Sequence, residues 1–240
     1  MLIAAGLSVL WLGSLIAALG LRLEALPWWQ CLIFVGLRSQ LHTGLFIIGH
    51  DAMHQVLWPA RPRLNHRLGA LALLLYAALP YGRCRSLHQR HHRLTATSAD
   101  PDFPDQGHAH LLSWYGQFMA GYLNGAQMRQ LLISWGLLLA LLSPRNPSAI
   151  WQVLLFCTLP LLLSSWQLFL FGTYLPHRHQ RRPEGLQRPL SLNLPAWLSL
   201  LACYHFGYHR EHHDHPELAW YELPAEHRRL RALTLAGHAR

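Results

Sequence analysis

Charge is what this chain lacks most. Only 13% of its 240 residues are Asp, Glu, Lys or Arg, against about 25% in soluble domains. So little charge, combined with apolar runs near the length of a bilayer span, excludes an ordinary soluble domain and assigns the chain to a membrane. Lysine is missing altogether, so all 20 basic residues are arginine, a bias for which the sequence offers no physical reason. Acidic residues number 11, leaving a net charge of +9. No groove-reading motif accompanies that charge, which excludes a nucleic-acid binder and leaves the positive-inside rule as its explanation. Cysteine is sparse too. Cys31, Cys84, Cys157 and Cys203 form no Cys-x-x-Cys pair, which excludes a disulfide framework or a zinc knuckle. Internal repeats, low-complexity segments and flavin, haem or iron–sulfur motifs are also missing. The length suits a single domain, residues 1–240, with no room for an electron-transfer domain.

What is present begins with apolar runs. Residues 1–21 have no basic n-region and are longer than a signal-peptide core, so a retained first span is expected. Pro27, Trp28 and Trp29 turn the chain at interface depth, and further spans are expected at 28–49, 128–143 and 150–176. Arg38 falls inside the second. A mid-span charge costs at least ~2.5 kcal/mol, so Arg38 is expected to face the bundle or to snorkel, with a tilted span and Arg38 near a headgroup as the favoured expectation. Residues 68–82 are apolar but short, with Pro80 interrupting them, which reads as a re-entrant or interfacial segment. Leu111, Trp114, Tyr115, Phe118 and Tyr122 recur at helical spacing, as in an interfacial helix. The fold class expected is an all-α membrane protein: a four-span bundle with interfacial helices and a histidine-bearing cap. These spans put 17 arginines on one side and only Arg22, Arg38 and Arg145 elsewhere. The cap should therefore face the cytoplasm.

That cap holds three histidine boxes: His50-Asp-Ala-Met-His54, His88-Gln-Arg-His91-His92, and His209-Arg-Glu-His212-His213. Spacings of i, i+3 and i+4 place each set on one helix face. Neutral imidazole is the commonest metal ligand. One box alone is a weak signal, and a lone histidine is more often a satisfied core or surface residue. Three boxes on one membrane face point to a metal site large enough for two ions. The zinc-protease pattern His-Glu-x-x-His fails in the first box, which has Asp51 in the Glu position, and its reverse fails in the third. Soft thiolate ligands are absent from the boxes, which argues against a copper(I) carrier. An imidazole-rich pair of iron ions activating dioxygen fits best. A membrane metal transporter would need ionisable residues at the midplane of several spans, whereas these histidines gather at span ends.

Longer strings are more specific. His50-Asp-Ala-Met-His54, Asp100-Pro-Asp102-Phe103, Phe171-Gly-Thr-Tyr-Leu-Pro-His177-Arg178 and Phe206-Gly-Tyr-His209-Arg-Glu-His212-His213 resemble the beta-carotene ketolases within the membrane-bound fatty acid desaturase and hydroxylase superfamily. The resemblance spans roughly residues 41–224. It implies a non-haem di-iron centre, O2 as co-substrate, an external electron donor such as ferredoxin, and a carotenoid substrate entering from the bilayer. The implied reaction hydroxylates the C4 methylene of a beta-ionone ring twice. Loss of water then gives a ketone, taking beta-carotene through echinenone to canthaxanthin. A ring hydroxylase or a fatty acyl desaturase of the same superfamily is the alternative within enzymes. Carried over residue by residue, the metal ligands are His50, His54, His88, His91, His92, His209, His212 and His213, with His177 in the place of a ninth. Two departures stand out: Gln55 where glycine is expected after the first box, and His205 where asparagine is expected. A bacterial inner membrane is the expected location.

Other residues carry lesser expectations. Asp51, Asp100, Asp102, Glu211 and Asp214 are candidates to hold imidazole N–H groups. Phe103, Trp114, Tyr115 and Phe118 are candidates to line a lipid-facing entrance. His42 is read as a packed polar residue, His108, His110, His227 and His238 as solvated, and His179 and His215 as neighbours of the boxes.

Overall fold

The computed structural model describes residues 1–104, 110–179 and 188–238, and helices are its only regular elements among them. Four are long and apolar enough to cross a membrane: α1 (Leu2–Gly20), α2 (Trp28–Met53), α6 (Gly125–Leu142) and α7 (Ala149–His177). Between α2 and α6 come α3 (Pro62–Ala77), α4 (Tyr81–Leu94) and α5 (Leu111–Tyr122). After α7 follow α8 (Ala196–Cys203), α9 (His209–Asp214) and α10 (Leu223–His238). Only 11% of the apolar window of α1 or of α6 is buried. Their leucines and isoleucines, Leu10, Ile16, Leu132 and Leu137 among them, face outward. That suits lipid rather than water, because no polar shell covers them.

Local chemistry sets the boundaries. The short 3₁₀ turn Leu23–Ala25 and Pro27 close the α1–α2 hairpin. Asn124 caps α6 by accepting from the amides of Ala126 (2.8 Å) and Gln127 (3.3 Å), and Gln127 accepts in return from the Asn124 amide. This capping box starts α6 three residues before the expected 128. Both π turns of α7, Leu154–Thr158 and Leu170–Tyr174, run into a Leu-Pro pair, Leu159-Pro160 and Leu175-Pro176. Proline brings no amide to the carbonyl four residues back, which loosens the helix there.

Two expectations are corrected. The apolar stretch 68–82 is not one segment: residues 68–77 are the second half of α3, which starts back at Pro62 and is not among the candidate spans, the chain breaks at Ala78 in the left-handed region (φ 54), and Pro80 leads into α4. α3 lies against α2 at two glycines. A Cβ on Gly49 would stand 2.5 Å from Leu73, and one on Gly69 would stand 2.4 Å from Ala52, so only glycine permits this approach.

The second correction is Arg38, which is 1% exposed and faces the bundle. Its Nε donates to the Phe156 carbonyl (3.1 Å), the one Pro160 leaves without a helical amide. Its Nη1 donates to the Trp11 carbonyl and Ser14 Oγ, each at 3.0 Å, and the guanidinium lies 5.4 Å over the Trp11 ring. His42 is packed as expected: Nδ1 accepts from Trp11 Nε1 (3.1 Å) and Nε2 donates to the Tyr76 carbonyl (2.7 Å).

Candidate metal centre

The ends of α2, α4 and α7 meet, with α9 against them. His50 sits in the last turn of α2 and His54 is its C-cap; His91 and His92 lie in the last turn of α4; His177 ends α7. Helix C-termini carry a partial negative charge, so three of them pointing at one place favour a cation. The side chains form two groups, His50, His54, His88 and His212, and His91, His177, His209 and His213. Within each group one ligand atom per residue lies within 4.8 Å of every other. His92 stands between the two. Its Nε2 is 3.1 Å from His88 Nε2 and 3.0 Å from His212 Nε2, and its ring stacks on His213 at 4.1 Å. All nine histidines expected at this place are thus brought together.

The donor set fits a metal. Nε2 meets Nε2 at 2.7 Å (His54 and His88) and at 3.1 Å (His91 and His213, His213 and His209). An imidazole nitrogen has either one N–H or one lone pair, never both. The run His54–His88–His92–His212 contains three such contacts in series, and because each nitrogen has a single N–H or a single lone pair, at most two of the three can be unshared hydrogen bonds. Lone pairs sharing a cation meet no such conflict. Metal–imidazole bonds are about 2.0–2.1 Å, so nitrogens sharing one ion would approach each other to about 3 Å, as these do.

Electrostatics agree. Burial, reinforced by the surrounding imidazoles, holds His88, His209, His212 and His213 well below the ordinary histidine value. Burial takes His54 down to about 4 and His92 to about 2. These rings are neutral at pH 7, as ligands must be. His91 goes the other way. Burial opposes its charge, but its Nδ1 donates to Asp100 Oδ1 at 2.9 Å, and that bond with the charges of Asp102 and Asp100 raises it. Asp100 is itself fixed by the amides of Ala96 and Asp102. A carboxylate on Nδ1 aims the Nε2 lone pair at the metal.

The other acidic candidates separate. Asp102 Oδ2 is 4.0 Å from His91 Nδ1, and its Oδ1 accepts from the Tyr122 hydroxyl at 2.8 Å. Burial pushes it up to about 6. Asp51 Oδ1 stops 3.7 Å from His50 Nδ1, beyond hydrogen-bond reach. Glu211 holds no box histidine: it accepts from His227 Nδ1 (2.8 Å) and Ser191. His227 is therefore buried and paired, which corrects its reading as solvated. Asp214 pairs with Arg188 and Arg210, each at 3.6 Å, because it projects from the outer face of α9. His215 meets Glu217 and Glu226 instead of a box, and His179 meets Arg178. His110 is exposed; His108 and the His238 side chain lie outside what is described.

Below the histidines is a cavity of about 40 Å³ lined by Phe46, Phe118, Tyr122, Leu168, Phe206 and Thr173, with Asp102. Phe46, Phe118, Tyr122 and Leu168 also line the next cavity, about 100 Å³ and almost wholly apolar, which extends to Leu131, Trp135 and Leu161. Of the four aromatic residues expected at an entrance only Phe118 lines either one. Trp114 is buried, donating to the Asp102 carbonyl (2.9 Å) and packing on Phe103, and the Tyr115 hydroxyl meets Ser165 Oγ (2.7 Å). The sequence pattern missed Phe46, Leu168, Phe206 and Thr173. Two of them, Thr173 and Phe206, lie inside the long strings around His177 and His209.

Fold and site together define a class: a helical membrane protein whose histidine cluster is compatible with a metal centre. The fatty acid desaturase family profile matches residues 24–240, and the chain belongs to that family. Among curated proteins it is 40% identical over 197 residues to a beta-carotene ketolase of Paracoccus sp. (strain PC1), covering 77% of this chain and 74% of that one. It is 38% identical over 229 residues to the beta-carotene ketolase of Paracoccus sp. (strain N81106 / MBIC 01143), covering 94% and 90%. With the zeaxanthin 4-ketolase of Chlamydomonas reinhardtii the identity is 35% over 250 residues, covering 98% of this chain and 55% of the relative.

Proposed function

We propose that this chain is a carotenoid 4-ketolase, working as a single desaturase-like domain over residues 1–240. It oxidises the C4 methylene of a beta-ionone ring to a ketone. The observation that carries the reading is the apolar cavity that closes directly beneath the two histidine groups, in a chain whose named relatives are ketolases. We assign one iron to His50, His54, His88 and His212, the other to His91, His177, His209 and His213, with His92 completing the first set. Bound there, the iron pair would supply the oxidising power for dioxygen chemistry at a C–H bond.

The chain's own residues do the positioning. A carotenoid offers no charge to grip, so shape must hold it, and the collar of Phe46, Phe118 and Leu168 presents the ring to the histidine cluster. Holding the allylic C4 there is what makes the reaction selective. Each hydroxylation consumes one dioxygen, two electrons and two protons, and releases one water. Two of them at the same carbon give a geminal diol, which loses water to leave the ketone. The electrons come from an external donor of the ferredoxin type. The arginine excess around the boxes supports a cytoplasmic orientation, in what we take to be a bacterial inner membrane.

Membranes carrying the protein, supplied with beta-carotene, dioxygen and reduced ferredoxin, should yield the monoketone and then the 4,4′-diketone by mass and absorption. Products hydroxylated only at C3 would make it a ring hydroxylase. Desaturated acyl chains beside untouched carotene would make it a lipid desaturase.

A further inference from the structure

A ketolase must oxidise the same carbon twice, so the alcohol formed first has to stay, or return, with that carbon under the metal centre. The cavity beneath the histidines carries two polar groups that the resting protein leaves unused. Thr173 is buried in α7, and its hydroxyl makes no hydrogen bond among the described residues, although it lines the cavity. Asp102 is buried too. Its Oδ1 accepts from Tyr122, but its Oδ2 makes no hydrogen bond among the described residues and lies 4.0 Å from His91 Nδ1. One is a donor lacking an acceptor, the other an acceptor lacking a donor, in a pocket whose walls away from His50, His88, His91 and His209 are mainly Phe46, Phe118, Leu168 and Phe206. Both residues line the cavity, where a bound group can meet them. A methylene can satisfy neither group. An alcohol satisfies both, accepting from Thr173 and donating to Asp102.

From this geometry we infer that Thr173, Asp102 and Tyr122 form a site for the hydroxylated ring, which retains the alcohol product of the first oxidation for the second. Asp102 is rigid enough for this task. Its amide donates to Asp100 Oδ1 (2.9 Å) and its carbonyl accepts from Trp114 Nε1 (2.9 Å). Tyr122 then fixes the carboxylate plane through its 2.8 Å bond and turns Oδ2 free. Tyr122 is a positioning residue: it acts on the alcohol through Asp102. The unoxidised ring gains nothing from the three groups, so they act on the second step and spare the first. The same site would accept a ring that arrives already hydroxylated at the neighbouring carbon.

The inference rests on the ketolase reading, and the test separates the two. Tyr122→Phe and Thr173→Val each remove one hydroxyl and keep the cavity's shape. With beta-carotene, dioxygen and reduced ferredoxin, each variant should consume carotene at nearly the wild-type rate. Each should raise the ratio of 4-hydroxy to 4-keto product about tenfold, the effect of losing one hydrogen bond of about 1.4 kcal/mol. With 4-hydroxy-beta-carotene as substrate, KM should rise by a similar factor while KM for beta-carotene stays put. Tyr204→Phe, which removes a buried hydroxyl bonded to the Gln40 carbonyl away from the cavity, should leave the ratio unchanged. An unaltered ratio in both cavity variants, or a loss of carotene consumption matching the loss of ketone, would overturn the inference. If the wild type forms no C4-oxygenated product at all, it is the ketolase reading that fails.

Discussion

Two buried polar regions of this protein follow opposite rules. At mid-span, unlike meets unlike. Arg38 donates to the carbonyls of Phe156 and Trp11, His42 accepts a hydrogen bond from Trp11 Nε1 and donates one to the Tyr76 carbonyl, and Gln167 Nε2 donates to Gln40 Oε1. In the cap, like meets like, with imidazole nitrogens facing one another at 2.7 to 3.1 Å. A network of complementary partners is complete as it stands and serves packing. A network of identical acceptors makes sense only around something they share. Two buried polar clusters in one bundle thus differ by whether their hydrogen bonds close.

The comparison breaks most sharply at the histidines. Replacing any of His50, His54, His88, His91, His92, His209, His212 or His213 with Ala should abolish ketone formation and lower the bound metal, and His177→Ala should at least cripple it. His110→Ala, at an exposed position, should leave both intact. Assay of each variant with metal analysis checks this. Next in size is the carboxylate on His91. Asp100→Asn keeps the shape but weakens the hold on Nδ1, and should cost about 10–100-fold in metal retention or activity. Asp214→Asn, whose partners are arginines, should cost nothing measurable.

The boxes were legible because i, i+4 spacing is a property of one helix, and Asp100 because its string sits beside the second box. Partners far apart in sequence were not. Nothing in the order of residues joins Glu211 to His227, or Arg38 to a carbonyl 118 positions away that Pro160 leaves open. The expectation of a headgroup-level Arg38 failed for that reason: its acceptors belong to the tertiary fold. The start of α3 was hidden because its first half is basic and only its second half apolar. Both departures from the ketolase pattern find a backbone context. Gln55 and His205 have φ of 63° and 65°, the left-handed region where glycine is easiest and asparagine and histidine are tolerated. The pattern's Gly and Asn suit those positions, and this chain accepts strain at Gln55 instead.

Smaller effects follow. Arg38→Met should leave product identity unchanged while lowering stability by about 1–3 kcal/mol, since buried acceptors lose their donor. Thermal unfolding in detergent reads the loss. pH gives a gentler change. His54, depressed to about 4 in the fold, is protonated more readily in the unfolded chain, whose ordinary value is about 6.5. The unfolded state therefore binds more protons between those values, and the metal-free protein should be most stable above pH 6.5 and lose stability progressively toward pH 4. Denaturant midpoints across that range test the sign.

The most direct test of the central claim is the metal content of active protein. Purified enzyme that forms the 4-keto product should hold two irons per chain, and activity should fall in step with iron on chelation and return with iron alone. Full activity in protein holding a single zinc and no iron would contradict the account.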